Sequence, residues 1–80
     1  RRAMHDRMQR PLSTVLAGAT VVLRRIRAGR ELEARLSALG FVPGETLHIH
    51  RNTRPGPLVV GVKGSRVMLG RGMADKLAVE

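Results

Sequence analysis

Eighty residues with a net charge of +9 and no cysteine describe one small basic domain, which neither a disulfide framework nor a thiolate metal site can staple. A chain this short buries roughly 60–65% of its unfolded surface, so its core is thin. Phe41 is the sole aromatic, which speaks against a base-stacking platform and against an aromatic groove for proline-rich peptides. No apolar run approaches the ~20 residues of a membrane span, and no signal-peptide pattern is visible.

The charge is spread over the whole chain. Residues 1–10 hold four Arg and one Asp; residues 11–80 hold eleven basic and five acidic side chains. Residues 1–10 read as a basic N-terminal tail, disordered or left over from a truncated start, and residues 11–80 as a single domain. A surface of this sign attracts nucleic acid, an anionic bilayer or an acidic protein face, and charge alone does not choose among them.

Taken in order, Pro11–Gly18 is an ordered lead-in. Pro11 suits a first helical residue, with Leu12 and Leu16 one turn apart. Ala19–Arg27 alternates as a strand, Val21 and Leu23 inward; the step from Leu23 to Ile26 breaks the alternation and predicts a β-bulge near Arg24-Arg25. Leu32, Leu36 and Leu39 recur at helical spacing and predict a short helix over about 30–39 with a buried apolar stripe. Gly40 supplies a left-handed stop, Phe41 and Val42 fold back over the stripe, and Pro43-Gly44 makes a tight turn.

Glu45–Asn52 alternates again, Leu47 and Ile49 on one face, Thr46, His48 and His50 on the other. Arg54-Pro55-Gly56-Pro57 is a loop, because two prolines cannot sit in a strand ladder. Leu58, Val60 and Val62 form the inward face of the next strand, where Gly61 marks a bulge or a close neighbour. Lys63-Gly64 is a hairpin turn, Val67 and Leu69 carry the fourth strand, a helical turn falls near 73–76, and Leu77 and Val79 close the chain as a fifth strand. The expected fold is mainly β: a small five-stranded SH3-like barrel whose closure removes exposed edges.

The run Arg35–Gly44, RLSALGFVPG, resembles the RLxxLGxxPG signature of FeoA proteins. Val67–Val79 is similar to the closing pattern of that family, and the Leu12, Leu16 and Gly18 spacing and the Gly56-Pro57-Leu58 loop fit as well. The resemblance covers residues 11–80. It implies a non-catalytic accessory or regulatory protein of ferrous iron uptake, located in the bacterial cytoplasm near the inner face of the membrane. Such a protein binds the cytoplasmic side of a FeoB-type GTP-binding iron transporter. Related barrels form the C-terminal domain of iron-dependent repressors. Where the family often has Gly-Asp-Pro before the third strand, this chain has Pro55-Gly56-Pro57, without the acid.

Enzyme chemistry finds no footing: there is no cysteine nucleophile, no Ser elbow, no paired acids and no glycine-rich phosphate loop. No cofactor is required and no small-molecule substrate is expected. His48 and His50, at i and i+2, stand side by side and could take adventitious Zn²⁺ or Ni²⁺; two solvated imidazoles on a polar strand face is the plainer reading, since a structural zinc site needs four ligands. For a partner surface, Arg24, Arg25, Arg27 and Arg35 offer a basic rim, with Phe41, Val42 and Met73 as apolar candidates beside it, although a solvated charged face and a core role compete for these residues. The alternative function is a small basic nucleic-acid-binding barrel or the SH3-like domain of an iron-dependent regulator; the missing aromatics disfavour nucleic acid.

Overall fold

The computed structural model describes residues 9–80. The expected tail lies outside the described residues except for its last two positions. Arg10, assigned to the tail on charge, is the first residue of strand β1 (Arg10–Pro11), paired with the end of the chain through Arg10↔Val79 and Pro11↔Ala78. Pro11 precedes a single 3₁₀ turn, Leu12–Thr14, instead of opening a helix that reaches Leu16. Leu12 is fully buried; Leu16, expected on the same face, is 77% exposed because the chain has turned extended by Val15.

Strands β2 (Thr20–Ile26), β3 (Thr46–Asn52), β4 (Leu58–Val62), β5 (Ser65–Leu69) and β6 (Leu77–Val79) follow, with helix α1 (Arg30–Ala38) after β2 and helix α2 (Arg71–Ala74) after β5. All pairings are antiparallel in one six-stranded sheet ordered β1-β6-β2-β3-β4-β5. The five longer strands are those expected; β1 is the addition, too short for any alternation to announce it. Hydrogen bonds do not close the sheet among the described residues, since β1 and β5 stand at its two ends. The sheet curls around one apolar cluster drawn from every strand except β1.

The β2 bulge falls where the sequence placed it. Against β6 the register shifts between Leu23 and Arg25. The bulge divides the work of β2: Thr20–Val22 pair with β3, whereas Leu23, Arg25 and Ile26 pair with β6. A second register shift, between Ile49 and Arg51, makes His50 the extra residue of β3 against β4. Lys63 and Gly64 have φ of 49° and 79°, the left-handed pair that a two-residue hairpin joining Val62 to Ser65 demands.

Helix α1 ends in a Schellman motif. The Phe41 N–H donates to the Leu36 carbonyl at 2.9 Å and the Gly40 N–H to that of Ser37 at 2.9 Å, with Gly40 at φ 105°. Val42 and Glu45 then bracket the Pro43-Gly44 turn, closed by a 3.0 Å bond from the Glu45 N–H to the Val42 carbonyl. The Gly44 N–H reaches the Leu23 carbonyl at 2.7 Å, and the Leu23 N–H reaches the Glu45 carbonyl at 2.9 Å, so the turn is fastened to β2 at its bulge.

Two expectations about this region fail. Leu36 is buried and Leu32 packs half-buried against the core, but Leu39 is 50% exposed. Phe41, expected as an interface candidate, is fully buried. Both follow from one geometry: the reversal at Gly40 turns Phe41 into the position over Leu36 that Leu39 would have filled, and the larger side chain takes the core. Helix α2 spans 71–74 instead of 73–76, because Arg71 is anchored at its start by contacts described below.

Candidate interaction site

The arginines of β2 do not form one uniform rim. Arg24 pairs with Glu80 at 3.4 Å, both side chains partly exposed. Past the bulge, Arg25 and Arg27 are exposed and line a groove of about 320 Å³ together with Arg10, Pro11, Asp75 and Ala78. The register explains the convergence: Pro11 and Arg25 flank Ala78 from opposite sides, which brings the β1 end of the chain beside the second half of β2. Arg35 is exposed on the outer side of α1, away from this groove.

The apolar candidates separate as well. Val42 is half-buried and, with Ile26, Ala34 and Pro43, borders a second groove of about 310 Å³ between α1 and β2. Phe41 lies beneath this groove, fully buried. Met73 sits on α2, half-buried against the core, away from the α1 groove.

His48 and His50 are both exposed on the outer face of β3. The His48 Nδ1 lies 3.1 Å from the Thr20 hydroxyl, its cross-strand partner on β2. His50, the bulged residue, leans over Gly61: a Cβ at Gly61 would lie 2.6 Å from the His50 Nε2, so glycine is there because the imidazole fills the space of a side chain. Among the described residues no third His, Cys, Asp or Glu joins the pair to hold a metal ion. Two imidazoles with no further donor do not constitute a structural zinc site.

A polar network that sequence reasoning missed holds the closing segment. The Arg71 Nε donates to the Gly56 carbonyl at 3.1 Å and its Nη2 to the Asn52 Oδ1. Asn52 in turn donates from Nδ2 to the carbonyls of Ser13, at 3.0 Å, and Val15, at 2.6 Å. The Ser13 hydroxyl donates to the Asp75 carboxylate. The 3₁₀ turn, the end of β3, the proline loop and α2 are thereby knotted together. Arg71 Nη1 is buried with no partner among the described residues.

These features sit on a domain that other proteins share. A family model described as the FeoA domain matches residues 10–80. A protein of Methanocaldococcus jannaschii described as "Putative Fe(2+) transport protein A" is 37% identical over 70 residues, covering 88% of this chain and 84% of that protein. The chain belongs to the FeoA family. A crystal structure of an iron uptake regulatory protein, FeoA, superposes with a TM-score of 0.86 at 29% identity, covering 91% of this chain and 97% of that one. The zinc-complexed FeoA of Stenotrophomonas maltophilia, described as a procaryotic SH3 domain protein, gives 0.76 at 27% identity over 88% of each chain. A manganese-dependent transcriptional repressor matches with a TM-score of 0.81 at 22% identity, covering 41% of that chain, a likeness of fold alone. FeoA thus has the SH3-like architecture that the chain's resemblance implied, and the family match begins at Arg10, where β1 begins.

Proposed function

We propose that this FeoA protein is a non-catalytic cytoplasmic accessory factor of ferrous iron uptake, one that binds the cytoplasmic side of a FeoB-type transporter and alters its state through differential affinity. The observation that carries the reading is family membership over residues 10–80, joined to a surface whose groove arginines have no ion-pair partner among the described residues. The protein works near the inner face of the membrane, whose anionic lipids would favour a chain of net charge +9 by roughly 1 kcal/mol per basic residue near the surface. Among the described residues no helix is long and apolar enough to cross a membrane. It needs no cofactor, and any Zn²⁺ or Ni²⁺ at His48 and His50 is adventitious.

The nucleic-acid alternative is weakened by Phe41. The one Phe, Tyr or Trp side chain is fully buried, so no large aromatic platform is offered to bases. The deciding experiment is co-purification of the protein with the transporter's cytoplasmic domain, set beside oligonucleotide binding at about 150 mM salt. Retention of the transporter domain with weak oligonucleotide binding is expected; tight oligonucleotide binding without transporter contact would overturn the reading.

A further inference from the structure

Among the described residues, six exposed cations are scattered over different elements: Arg30 and Arg35 on α1, Arg51 on β3, Arg54 in the proline loop, Arg66 on β5 and Lys76 between α2 and β6. Two others are neutralised locally, Arg24 by Glu80 and Lys63 by Glu45 at 3.0 Å. Arg10, Arg25 and Arg27 differ from both groups. They line the same concave groove, and among the described residues none of them has an ion-pair partner. The one acid in the groove wall, Asp75, already accepts the Ser13 hydroxyl. Pro11, Leu77 and Ala78 supply apolar wall.

We propose that the β1–β6–β2 groove is a receptor for a carboxylate-bearing peptide segment, its acidic side chains held by the guanidiniums of Arg10, Arg25 and Arg27. The assignment rests on the reading that the partner is a protein, and it names the chemistry of that partner's contact. Guanidinium forks match carboxylates in geometry and bind them through paired N–H donors. The groove's volume of about 320 Å³ admits an acidic side chain with its aliphatic stem and adjoining backbone, and the stem meets Pro11 and Ala78. A bilayer presents its charge on a plane and would draw on the scattered arginines as readily as on a recessed trio. The β2 bulge is what makes the site: it turns the strand so that Arg24 meets Glu80 while Arg25 falls beside Ala78.

The test is a ¹H–¹⁵N titration of the full chain with a short peptide of alternating Glu and Asp flanked by glycine, its Gln/Asn counterpart, inorganic phosphate, and phosphatidylserine-containing vesicles. The acidic peptide should shift resonances of Arg10, Arg25, Arg27 and Ala78, and the neutral peptide should not. Arg25→Gln combined with Arg27→Gln should weaken that binding about tenfold or more at low salt. Arg24→Gln, on the same strand but already paired, should change it by no more than about twofold. Shifts spread evenly over all arginines, affinity unchanged in the double variant, or a groove perturbed only by phosphate or vesicles would overturn the proposal. Its failure and that of the proposed function are distinguishable. Transporter binding that survives the double variant sinks the groove alone. Peptide binding with no transporter contact sinks the accessory role alone.

Discussion

Two regions lock secondary elements onto the same sheet by opposite means. The α1–Gly44 segment is fixed by backbone: a Schellman reversal at Gly40, a Pro-Gly turn, and hydrogen bonds from that turn to Leu23, with Phe41 driven into the core. The closing segment is fixed by side chains: Arg71 on Gly56 and Asn52, Asn52 on the 3₁₀ turn, Ser13 on Asp75. Apart from its anchor on Leu23, the first device is built within contiguous residues, whereas every contact of the second joins residues 15 to 62 positions apart. The contrast teaches that a lock made of local conformation can be read from residue order, while one made of long-range polar contacts cannot.

The largest expected effect tests the apolar half of the comparison. Phe41→Ala should lower unfolding free energy by about 3–5 kcal/mol, since the side chain is fully buried and its loss leaves a cavity. Urea denaturation followed by circular dichroism measures this, and a loss below about 1 kcal/mol would show that the ring is not part of the core. On a small domain such a loss is a large share of total stability.

Next comes the polar half. Asn52→Ala removes two donors to backbone carbonyls and the acceptor for Arg71, and should cost about 2–4 kcal/mol, with the buried guanidinium left further from satisfied. Amide hydrogen exchange should rise in Leu12–Val15 and Arg71–Ala74 together, because one side chain serves both. Faster exchange in only one of them would mean the network is two separate contacts.

Gly40→Ala should cost about 1–3 kcal/mol. At φ 105° a side chain is strained, and the new Cβ would lie 3.2 Å from Lys63 Cδ and Val62 Cγ2. Lys63 is the flexible end of the clash, so the backbone term should dominate. Gly29, whose backbone is extended with nothing within 4 Å of an added Cβ, is the control, and Gly29→Ala should cost less. Equal losses at the two positions would mean that the reversal is not held by Gly40.

The same contrast explains what was legible. Gly40, Pro43-Gly44 and Lys63-Gly64 each require a backbone state that few residues adopt, and each sits where the sequence placed it. The β2 bulge showed itself as a broken alternation, and Gly61 as a glycine on an outward strand face, answered by His50. Of the basic candidates, only Arg25 and Arg27 meet in a groove, and the third member, Arg10, went unseen because a two-residue strand carries no periodicity. The Arg71–Asn52 contact left no trace either: both residues are polar positions near element ends, ordinary in themselves, and only the fold brings them within reach.

Leu39 is where the reading of the helix and the structure part company, and it gives the smallest expected effect. The spacing 32, 36, 39 places three leucines on one face of an ideal helix, yet regular helix ends at Ala38 and Leu39 is its C-cap at φ −87°, ψ −5°. Periodicity assumes that the helix continues and that the core continues beside it. Here Phe41 comes back over Leu36 within two residues of the stop, so the third position of the stripe has no core left to enter. Leu39→Ala should therefore change stability by no more than about 0.5 kcal/mol, as exposed substitutions do. Leu36→Ala, from the same stripe and to the same residue, should cost about 2–5 kcal/mol. Leu and Ala differ in helix propensity by only a few tenths of a kcal/mol, so the difference between the two changes reports chiefly burial. A Leu39 loss approaching that of Leu36 would mean that the helix face, and not the glycine reversal, decides which apolar side chain the core accepts.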